Sequence, residues 1–414
     1  MNNNINEIKE KLKRYNQLHL LQNYDNFTLQ EQNKLIKQIN SIDFELINNL
    51  YQQSTNTKEE YNKNLIEPID VVVKEYLTEE EKKQYEYIGE EIIRNNQYAV
   101  ITLAGGQGSR LGHNGPKGTF IVDINPQKSI FEIHCDTLKK AYNKYKIYIS
   151  WYIMTSKENH EQTISFFEKH NYFNYPKENI TFFEQGELEN VLENGKIILD
   201  KDGYIYKSSS GNGALYKSLQ TNGILSKMKK DRIKWIYIGG IDNILANSID
   251  PIMLGATTTN KYLASGKSTM KKSWDEKVGV FAMKNKKPTV LEYFEITEEM
   301  AKQQDERGDF IYGDANLVSF LLSTEVVEKF LDRNPTYHIA HKKINYLDEY
   351  GNYIIPTEPN AYKFEEFNFD YFDILDKFLV FRVKREDEFA PIKNKEGNDS
   401  PVTAKKLYEE KQDK

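Results

Sequence analysis

Apolar residues in about the first ninety positions recur every three or four residues, as they do along one face of an α-helix. The two clearest series are Ile5, Ile8, Leu12 and Tyr15, and Leu35, Ile39, Ile42 and Leu46. Thr28 with Glu31 fits the capping box, in which a threonine and a glutamate three residues later satisfy free N–H groups at a helix start. Thr78 with Glu81 repeats this pattern. We therefore predict an N-terminal helical region over residues 1–95.

The periodicity changes after this region. Residues 99–103 form a short, almost wholly apolar run that glycines end, which is typical of a strand buried on both faces of a parallel sheet. Similar runs lie at 147–154, 180–183 and 233–238, with helical stretches at 158–170 and 214–219 between them. This alternation predicts an α/β domain over residues 96–335, doubly wound and Rossmann-like with a mixed sheet. Its ligands should lie beyond the carboxyl ends of the strands.

The pattern of apolar and polar residues changes again after about residue 335. Residues 348–352 read as a turn between strand-like runs, and residues 378–383 read as another buried strand. We therefore predict a small C-terminal α+β unit over residues 336–414. A chain of 414 residues has room for two or three such units.

Charge and composition exclude several classes of partner. The chain has 62 acidic and 56 basic residues, a net charge of −6, which argues against a nucleic acid or a membrane surface as partner. Residues 1–17 are polar and lack the apolar core of a secretory signal. Cys135 is the only cysteine, so no disulfide forms within the chain. We expect a cytoplasmic protein that acts on small molecules.

A glycine-rich segment follows the first predicted strand. It reads Leu103-Ala104-Gly105-Gly106-Gln107-Gly108-Ser109-Arg110-Leu111-Gly112, followed by Gly115-Pro116-Lys117-Gly118. Its glycine spacing fits neither the dinucleotide fingerprint nor the Walker A loop. Consecutive N–H groups of such a loop can cradle phosphate oxygens, and Arg110 and Lys117 add positive charge. We predict a phosphate-binding loop in preference to the alternative, a tight turn with surface charges.

This segment resembles the signature of the UTP-dependent sugar pyrophosphorylases, Leu-x-Gly-Gly-x-Gly-Ser/Thr-x-x-Gly followed by Pro-Lys-Gly. Ala104 and Gln107 in its variable positions resemble the N-acetylhexosamine branch more than the UDP-glucose branch. The chain is thus similar to the eukaryotic UDP-N-acetylglucosamine (UDP-N-acetylhexosamine) pyrophosphorylases from about residue 80 to 405. The resemblance implies a nucleotidyltransferase fold and a uridylyl transfer with Mg²⁺, in which N-acetylglucosamine-1-phosphate attacks the α-phosphorus of UTP in line.

The resemblance also implies the nucleotide contacts. It gives catalytic roles to Arg110, Lys117 and Lys393. It gives substrate contacts to Leu103, Ala104, Gly105, Gly106, Gln185, Gly211, Asn212, Asp242 and Lys363. Gln185 would read the uracil edge, Gly211 would lie against the base, and Lys363 would reach UTP. Asp242, in a segment similar to the family's Val-Asp-Asn, would hold the magnesium ion.

The sugar side of the site is implied in the same way. Asn212 would face the sugar, Glu292 would accept hydrogen bonds from its hydroxyl groups, and Lys393 would reach the sugar phosphate. Gly279 lies in a segment that resembles a family sugar-binding strand. Asn316 also belongs to this side, but Asp314-Ala315-Asn316 replaces the family's Ala-Gly-Asn, and we expect the Asp314 charge to be solvated.

Two alternatives stay open at this point. One is a UDP-glucose or broad UDP-sugar pyrophosphorylase, against which Asn212 and Asn316 argue. The other is a non-catalytic nucleotide-sugar sensor, against which the presence of Arg110, Lys117 and Asp242 argues. We expect a monomer or a weak homodimer.

Overall fold

The computed structural model describes residues 2–55 and 65–412. In chain order the helices are α1 (Asn2–Arg14), α2 (Leu29–Ser41), α3 (Phe44–Thr55), α4 (Glu79–Arg94), α5 (Ile130–Tyr145), α6 (His160–Lys169), α7 (Leu215–Thr221), α8 (Ile224–Lys230), α9 (Pro251–Thr259), α10 (Glu298–Lys302), α11 (Thr324–Leu331), α12 (Arg385–Glu388) and α13 (Pro401–Gln412). The strands are β1 (Ile66–Glu67), β2 (Val71–Val73), β3 (Tyr98–Leu103), β4 (Ile121–Val122), β5 (Lys128–Ser129), β6 (Ser150–Thr155), β7 (Ile180–Glu184), β8 (Glu187–Glu189), β9 (Val191–Leu192), β10 (Lys207–Ser209), β11 (Trp235–Gly240), β12 (Ala264–Met270), β13 (Val280–Lys284), β14 (Lys287–Leu291), β15 (Asp314–Ser323), β16 (His338–Lys342), β17 (Tyr346–Leu347), β18 (Tyr353–Ile354), β19 (Ala361–Glu365) and β20 (Leu379–Arg382).

The chain divides into two compact units made of non-consecutive segments. The first unit comprises Met1–Glu60, Gly186–Ala214 and Pro335–Phe367, and the second comprises Tyr61–Gln185, Leu215–Asn334 and Asn368–Lys414. These units do not follow the three consecutive segments that the sequence predicts. The difference arises because β2 and β20, from the predicted N-terminal and C-terminal regions, pair with each other in the main sheet of the second unit.

The first unit packs three helices on short strands. One face each of α1, α2 and α3 enters a common core with β9 and β19. Both threonine capping boxes are confirmed, the one at α2 in this unit and the one at α4 in the second. The second apolar series does not form one helix, because Ile42 is extended and Asp43 Oδ1 accepts the N–H of Leu46 at 3.0 Å, starting α3. The predicted turn at 348–352 lies between the paired strands β17 and β18, as expected.

The second unit is built on a mixed sheet in the order β2-β20-β12-β15-β11-β3-β6-β7, with β1, β13 and β14 attached. Strands β11, β3, β6 and β7 run parallel, and β15 is antiparallel to both β11 and β12. The buried strands predicted from apolar runs are confirmed, although their bounds shift by up to three residues. None of the described helices is long and apolar enough to cross a membrane.

The strand order places a topological switch beside β3. From β3 the chain proceeds to β6 and β7 on one side and then returns to β11 on the other. A crevice forms at the carboxyl ends of two strands where the order reverses in this way, and ligands of doubly wound folds bind there. We therefore expect the loops after β3 and β11 to form a ligand site.

Candidate active site

The glycine loop and Asp242 lie side by side at this switch point. Leu103, at the end of β3, is the register partner of Gly240 at the end of β11. The N–H of Ile241 continues the pairing by donating to the Leu103 carbonyl at 3.1 Å. Asp242 follows directly, so the structure brings the predicted phosphate loop and the predicted metal ligand together.

The loop folds back on itself in a compact shape. The N–H of Lys117 donates to the Gly106 carbonyl at 3.0 Å, and the N–H of Gly108 donates to the Gly115 carbonyl at 2.9 Å. The N–H groups of Gly105, Gly106 and Gln107 donate to no acceptor within the part of the chain that the structure describes. These loop N–H groups are therefore available to an anion.

Two cationic side chains of the loop have no partner in the part of the chain that the structure describes. Arg110 is exposed and Lys117 is partly buried, and among the described residues neither side chain forms a hydrogen bond or an ion pair. By contrast, Arg385 forms a bidentate pair with Glu276 at 2.6 and 3.2 Å. Because Arg110 and Lys117 are not neutralised internally, their charge can act on a bound phosphate.

Gln185, at the end of strand β7, packs against the loop. It follows β7, is buried, and its N–H donates to the Thr155 carbonyl at 2.8 Å. A Cβ atom on Gly105 would lie 2.5 Å from the Gln185 side-chain nitrogen, so only glycine allows this approach. The structure thus places the predicted uracil-reading amide directly beside the phosphate loop.

The segment that carries Lys393 is fastened to the turn at Asp242. The N–H of Ile392 donates to the Asp242 carbonyl at 2.8 Å. Asn243 holds the same segment, because its Nδ2 donates to the Glu388 carbonyl at 2.7 Å and its Oδ1 accepts the N–H of Ala390 at 2.9 Å. The sequence analysis predicted a role for Asp242 but none for Asn243. The available signal was that Asn243 directly follows Asp242 in the chain.

A network of buried ion pairs holds α12, which precedes the segment that carries Lys393. Lys267 is 1% exposed and pairs with Asp250 and with Glu388 of α12. Lys74 also contacts Asp250, at 3.1 Å. Burial favours the neutral acid, but Lys267 and Lys74 outweigh it and hold the pKa of Asp250 below its ordinary value. The network anchors α12, from which the chain continues to Lys393.

His134 is a second residue that sequence reasoning missed. It is partly buried, and its Nε2 lies 3.2 Å from the Ile241 carbonyl, just before Asp242. Burial lowers the pKa of His134 to about 4, which the Ile241 hydrogen bond and the Asp242 charge only partly oppose. The ring is therefore neutral near pH 7 and donates to this carbonyl.

The predicted sugar-binding residues of the second unit also meet. The N–H of Asn316 donates to the Gly279 carbonyl at 2.9 Å. A Cβ atom on Gly279 would lie 3.6 Å from Glu292 Oε1. The side-chain oxygen of Asn316 accepts the N–H of Val318 at 2.9 Å, which fixes its orientation. Gly279, Glu292 and Asn316 therefore form one polar cluster at the start of β13 and β15.

The prediction that Asp314 is solvated was wrong. Asp314 is 3% exposed and accepts hydrogen bonds from Arg382 Nε at 2.8 Å, from Arg382 Nη2 at 2.7 Å and from Ser268 at 2.7 Å. Burial alone would lower the pKa of Arg382, but Asp314 and Asp309 raise it. The charge of Asp314 is thus neutralised within the fold, and its side chain is bound rather than free to repel a sugar.

The remaining predicted residues, Gly211, Asn212 and Lys363, lie in the first unit. Gly211 has φ +90°, and a Cβ atom there would lie 2.3 Å from the Glu366 carbonyl oxygen, so glycine is required. Lys363, on β19, pairs with Glu365 at 2.8 Å, and both side chains are partly buried. The Glu365 Cβ is 3.2 Å from the Cβ position built on Gly211, so Lys363 and the 211–212 loop are neighbours within this unit.

Comparison with known proteins agrees with this arrangement. A family model described as "UTP--glucose-1-phosphate uridylyltransferase" matches residues 43–414. The chain is 38% identical over 357 residues to the UDP-N-acetylglucosamine pyrophosphorylase of Saccharomyces cerevisiae, covering 83% of this chain and 75% of the relative. It is 31% identical over 422 residues to UDP-N-acetylglucosamine diphosphorylase 2 of Arabidopsis thaliana, covering 97% of this chain and 82% of the relative.

Solved structures agree as well. The uridine diphosphate N-acetylglucosamine pyrophosphorylase from Trypanosoma brucei, solved with an inhibitor, aligns with TM-score 0.82 and 30% identity, covering 98% of this chain and 84% of that one. A UDP-glucose pyrophosphorylase from Leishmania major aligns with TM-score 0.65 and 14% identity, covering 86% and 75%, which shows a shared fold alone. The predicted nucleotidyltransferase fold is confirmed.

Proposed function

The chain belongs to the UTP--glucose-1-phosphate uridylyltransferase family, and we propose that it forms UDP-N-acetylglucosamine and pyrophosphate from UTP and N-acetylglucosamine-1-phosphate. The observation that carries this proposal is the phosphate loop, which lies beside Asp242 in the second unit and whose Arg110 and Lys117 side chains pair with no other described residue. Identity of 30–38% with UDP-N-acetylglucosamine pyrophosphorylases over most of the chain supports the substrate pair.

The proposed step needs positioned charge more than a base. A sugar-1-phosphate is largely dianionic near pH 7, because its second pKa is about 6. One of its oxygens attacks the α-phosphorus of UTP, the bond from that phosphorus to the β-phosphate oxygen breaks, and pyrophosphate leaves in line. Arg110 and Lys117 neutralise charge on the leaving pyrophosphate, and Lys393 orients the attacking phosphate. Fixed charges of this kind supply most of the acceleration in comparable sites.

Asp242 fits the role of a magnesium ligand. Its carboxylate is partly exposed and, within the described ranges, accepts no hydrogen bond and forms no ion pair. No group of three or more His, Cys, Asp or Glu side chains among those residues could hold a metal ion. Magnesium commonly takes one or two protein carboxylates together with phosphate oxygens and waters, so a single Asp suits it. When bound, the ion would neutralise phosphate charge, and Asp242 would hold it at the end of β11.

We assign the acetylated sugar to the polar cluster of Gly279, Glu292 and Asn316 in the second unit. The sequence resemblance separately implies a sugar contact for Asn212. A carboxylate and amides are suited to hydroxyl and acetamido groups. The internal pairing of Asp314 with Arg382 removes the main objection to an acetyl group near this cluster. A UDP-glucose pyrophosphorylase is the second candidate, because the matching family model is described by glucose-1-phosphate. The relatives at 30–38% identity favour the acetylated sugar instead.

We further propose a cytoplasmic enzyme that is a monomer or a weak homodimer and has no nucleic-acid or membrane partner. The support is the net charge of −6. Sedimentation velocity at several protein concentrations measures the association state directly.

The reaction is tested with purified protein, magnesium and UTP against a panel of sugar-1-phosphates. We expect pyrophosphate release together with UDP-N-acetylglucosamine when N-acetylglucosamine-1-phosphate is present. Mass spectrometry identifies the product, and omission of each substrate in turn is the control. Binding of UTP without turnover on any sugar phosphate would instead favour the sensor interpretation.

A further inference from the structure

Asn159 is buried directly behind the phosphate loop. It precedes α6 and is wholly inaccessible to solvent. Its side-chain Nδ2 donates to the Ala104 carbonyl at 3.0 Å and to the Gly106 carbonyl at 3.3 Å, and its Oδ1 accepts the N–H of Ser156 at 2.9 Å. The Asn159 carboxamide thus binds two carbonyl groups of the loop, those of Ala104 and Gly106.

The side chain does not perform the usual task of its position. An asparagine before a helix normally accepts an N–H of the first helical turn. Asn159 makes no such capping bond, and its side chain reaches the loop instead. Two carbonyl groups and one N–H group call for a donor and an acceptor in the same side chain, which an amide supplies. Aspartate would set a negative oxygen against two carbonyl oxygens.

The orientation of these carbonyl groups determines where the loop N–H groups point. In a planar trans peptide the C=O and the N–H point in opposite directions. A carbonyl of Ala104 directed at Asn159 therefore turns the N–H of Gly105 away from it. The carbonyl of Gly106 does the same for the N–H of Gln107. Both N–H groups therefore point away from Asn159, and neither has an acceptor in the described segments.

We propose that Asn159 is a positioning residue that aims the N–H groups of Gly105 and Gln107 at the phosphates of the bound nucleotide. The inference rests on the proposed role of the loop as a phosphate cradle. Asn159 itself touches no substrate, because it binds the loop from the buried side. Its loss should weaken interactions with pyrophosphate and UTP and leave those with the sugar phosphate unchanged.

The test uses Asn159→Ala and Asn159→Asp, with Asn179→Ala as the control. Asn179 is a partly buried asparagine of the same unit whose Nδ2 also donates to a backbone carbonyl, that of Tyr148 at 3.3 Å. Calorimetric titration of inorganic pyrophosphate and of UTP should show affinity at least about tenfold weaker in both Asn159 variants, since a tenfold change corresponds to about 1.4 kcal/mol. The KM for N-acetylglucosamine-1-phosphate should stay within about twofold.

Circular dichroism and thermal melting establish that each variant is folded, and Asn159→Ser, whose hydroxyl can donate one bond, replaces a variant that is not. The proposal would be overturned if a folded variant kept its pyrophosphate affinity, or if the interactions with UTP and with the sugar phosphate weakened equally. Failure of all three variants to fold would also overturn it. Absence of pyrophosphate binding by the unmodified protein would do the same. Because binding needs no turnover, loss of pyrophosphate affinity in an otherwise inactive protein would support Asn159 while refuting the proposed reaction.

Discussion

Asn243 joins two distant parts of the second unit by donating its side-chain Nδ2 to the Glu388 carbonyl at 2.7 Å. Through this bond the turn that carries Asp242 holds the segment that ends at Lys393. The spacing between the proposed metal ligand and the proposed sugar-phosphate lysine is thus set by contacts of the Asn243 side chain with the backbone, and not by the flexible side chains of Asp242 and Lys393.

Asn243→Ala should therefore raise the KM for the sugar phosphate more than the KM for UTP. The change leaves the buried Glu388 carbonyl and Ala390 N–H without this partner, and each unpaired buried group costs about 1–3 kcal/mol. Steady-state kinetics with each substrate varied in turn measures the two effects. If both KM values equal those of the unmodified protein, the hydrogen bond from the Ile392 N–H to the Asp242 carbonyl is enough to position the Lys393 segment.

Arg110→Ala and Lys117→Ala should each lower kcat strongly while the fold persists. Removing one preorganised charged or hydrogen-bonding group costs on the order of 3 kcal/mol in comparable sites. Lys230→Ala, which removes an exposed lysine of α8, is the matched control and should leave kcat unchanged. Near-normal kcat in both loop variants would mean that the loop is merely a turn.

Lys393→Ala and Lys363→Ala should separate the two substrates. We expect the first to impair use of the sugar phosphate and the second to weaken UTP binding, as measured by calorimetric titration of UTP. Lys363 pairs with Glu365, so Glu365→Gln distinguishes loss of that ion pair from loss of the cation. The same UTP affinity in Lys393→Ala and Lys363→Ala would refute the assignment.

The buried network around Lys267 should make stability depend on acid pH. The depressed pKa of Asp250 contributes stability that is complete above about pH 4, the unfolded value, and is lost as pH falls toward the folded value. Lys267→Met should cost about 3–5 kcal/mol at pH 7, because it leaves buried carboxylates without their main partner. Urea unfolding at a series of pH values tests both statements, and Asp250→Asn should remove part of the acid dependence.

The acetylated substrate should be preferred over glucose-1-phosphate by at least about tenfold in kcat/KM, which is about 1.4 kcal/mol. Polar groups arranged for the acetamido group stay unpaired when glucose-1-phosphate binds. Parallel measurements with both sugar phosphates decide this, and Asn316→Ala should reduce the ratio. Parity in the unmodified protein would identify a broad UDP-sugar pyrophosphorylase.

Family membership and the nucleotidyltransferase fold were predictable from sequence, and both are confirmed. Each depends on contiguous patterns: apolar runs that form buried strands, threonine capping boxes, and the glycine loop after β3. Such patterns are local because strand burial, helix capping and loop flexibility depend on neighbouring residues. The placement of Arg110 and Asp242 at one sheet edge followed from the rule that parallel strands align their carboxyl ends.

Only the tertiary structure decided which side chains meet across long separations. Asn159 is 55 positions from Ala104, Arg382 is 68 from Asp314, and Asn243 is 145 from Glu388. A lone asparagine or aspartate looks like a surface residue or a cap in sequence, because its hydrogen-bond partner is set by strand order and not by spacing. Burial then makes each of these bonds necessary, since an unpaired polar group inside the fold is costly.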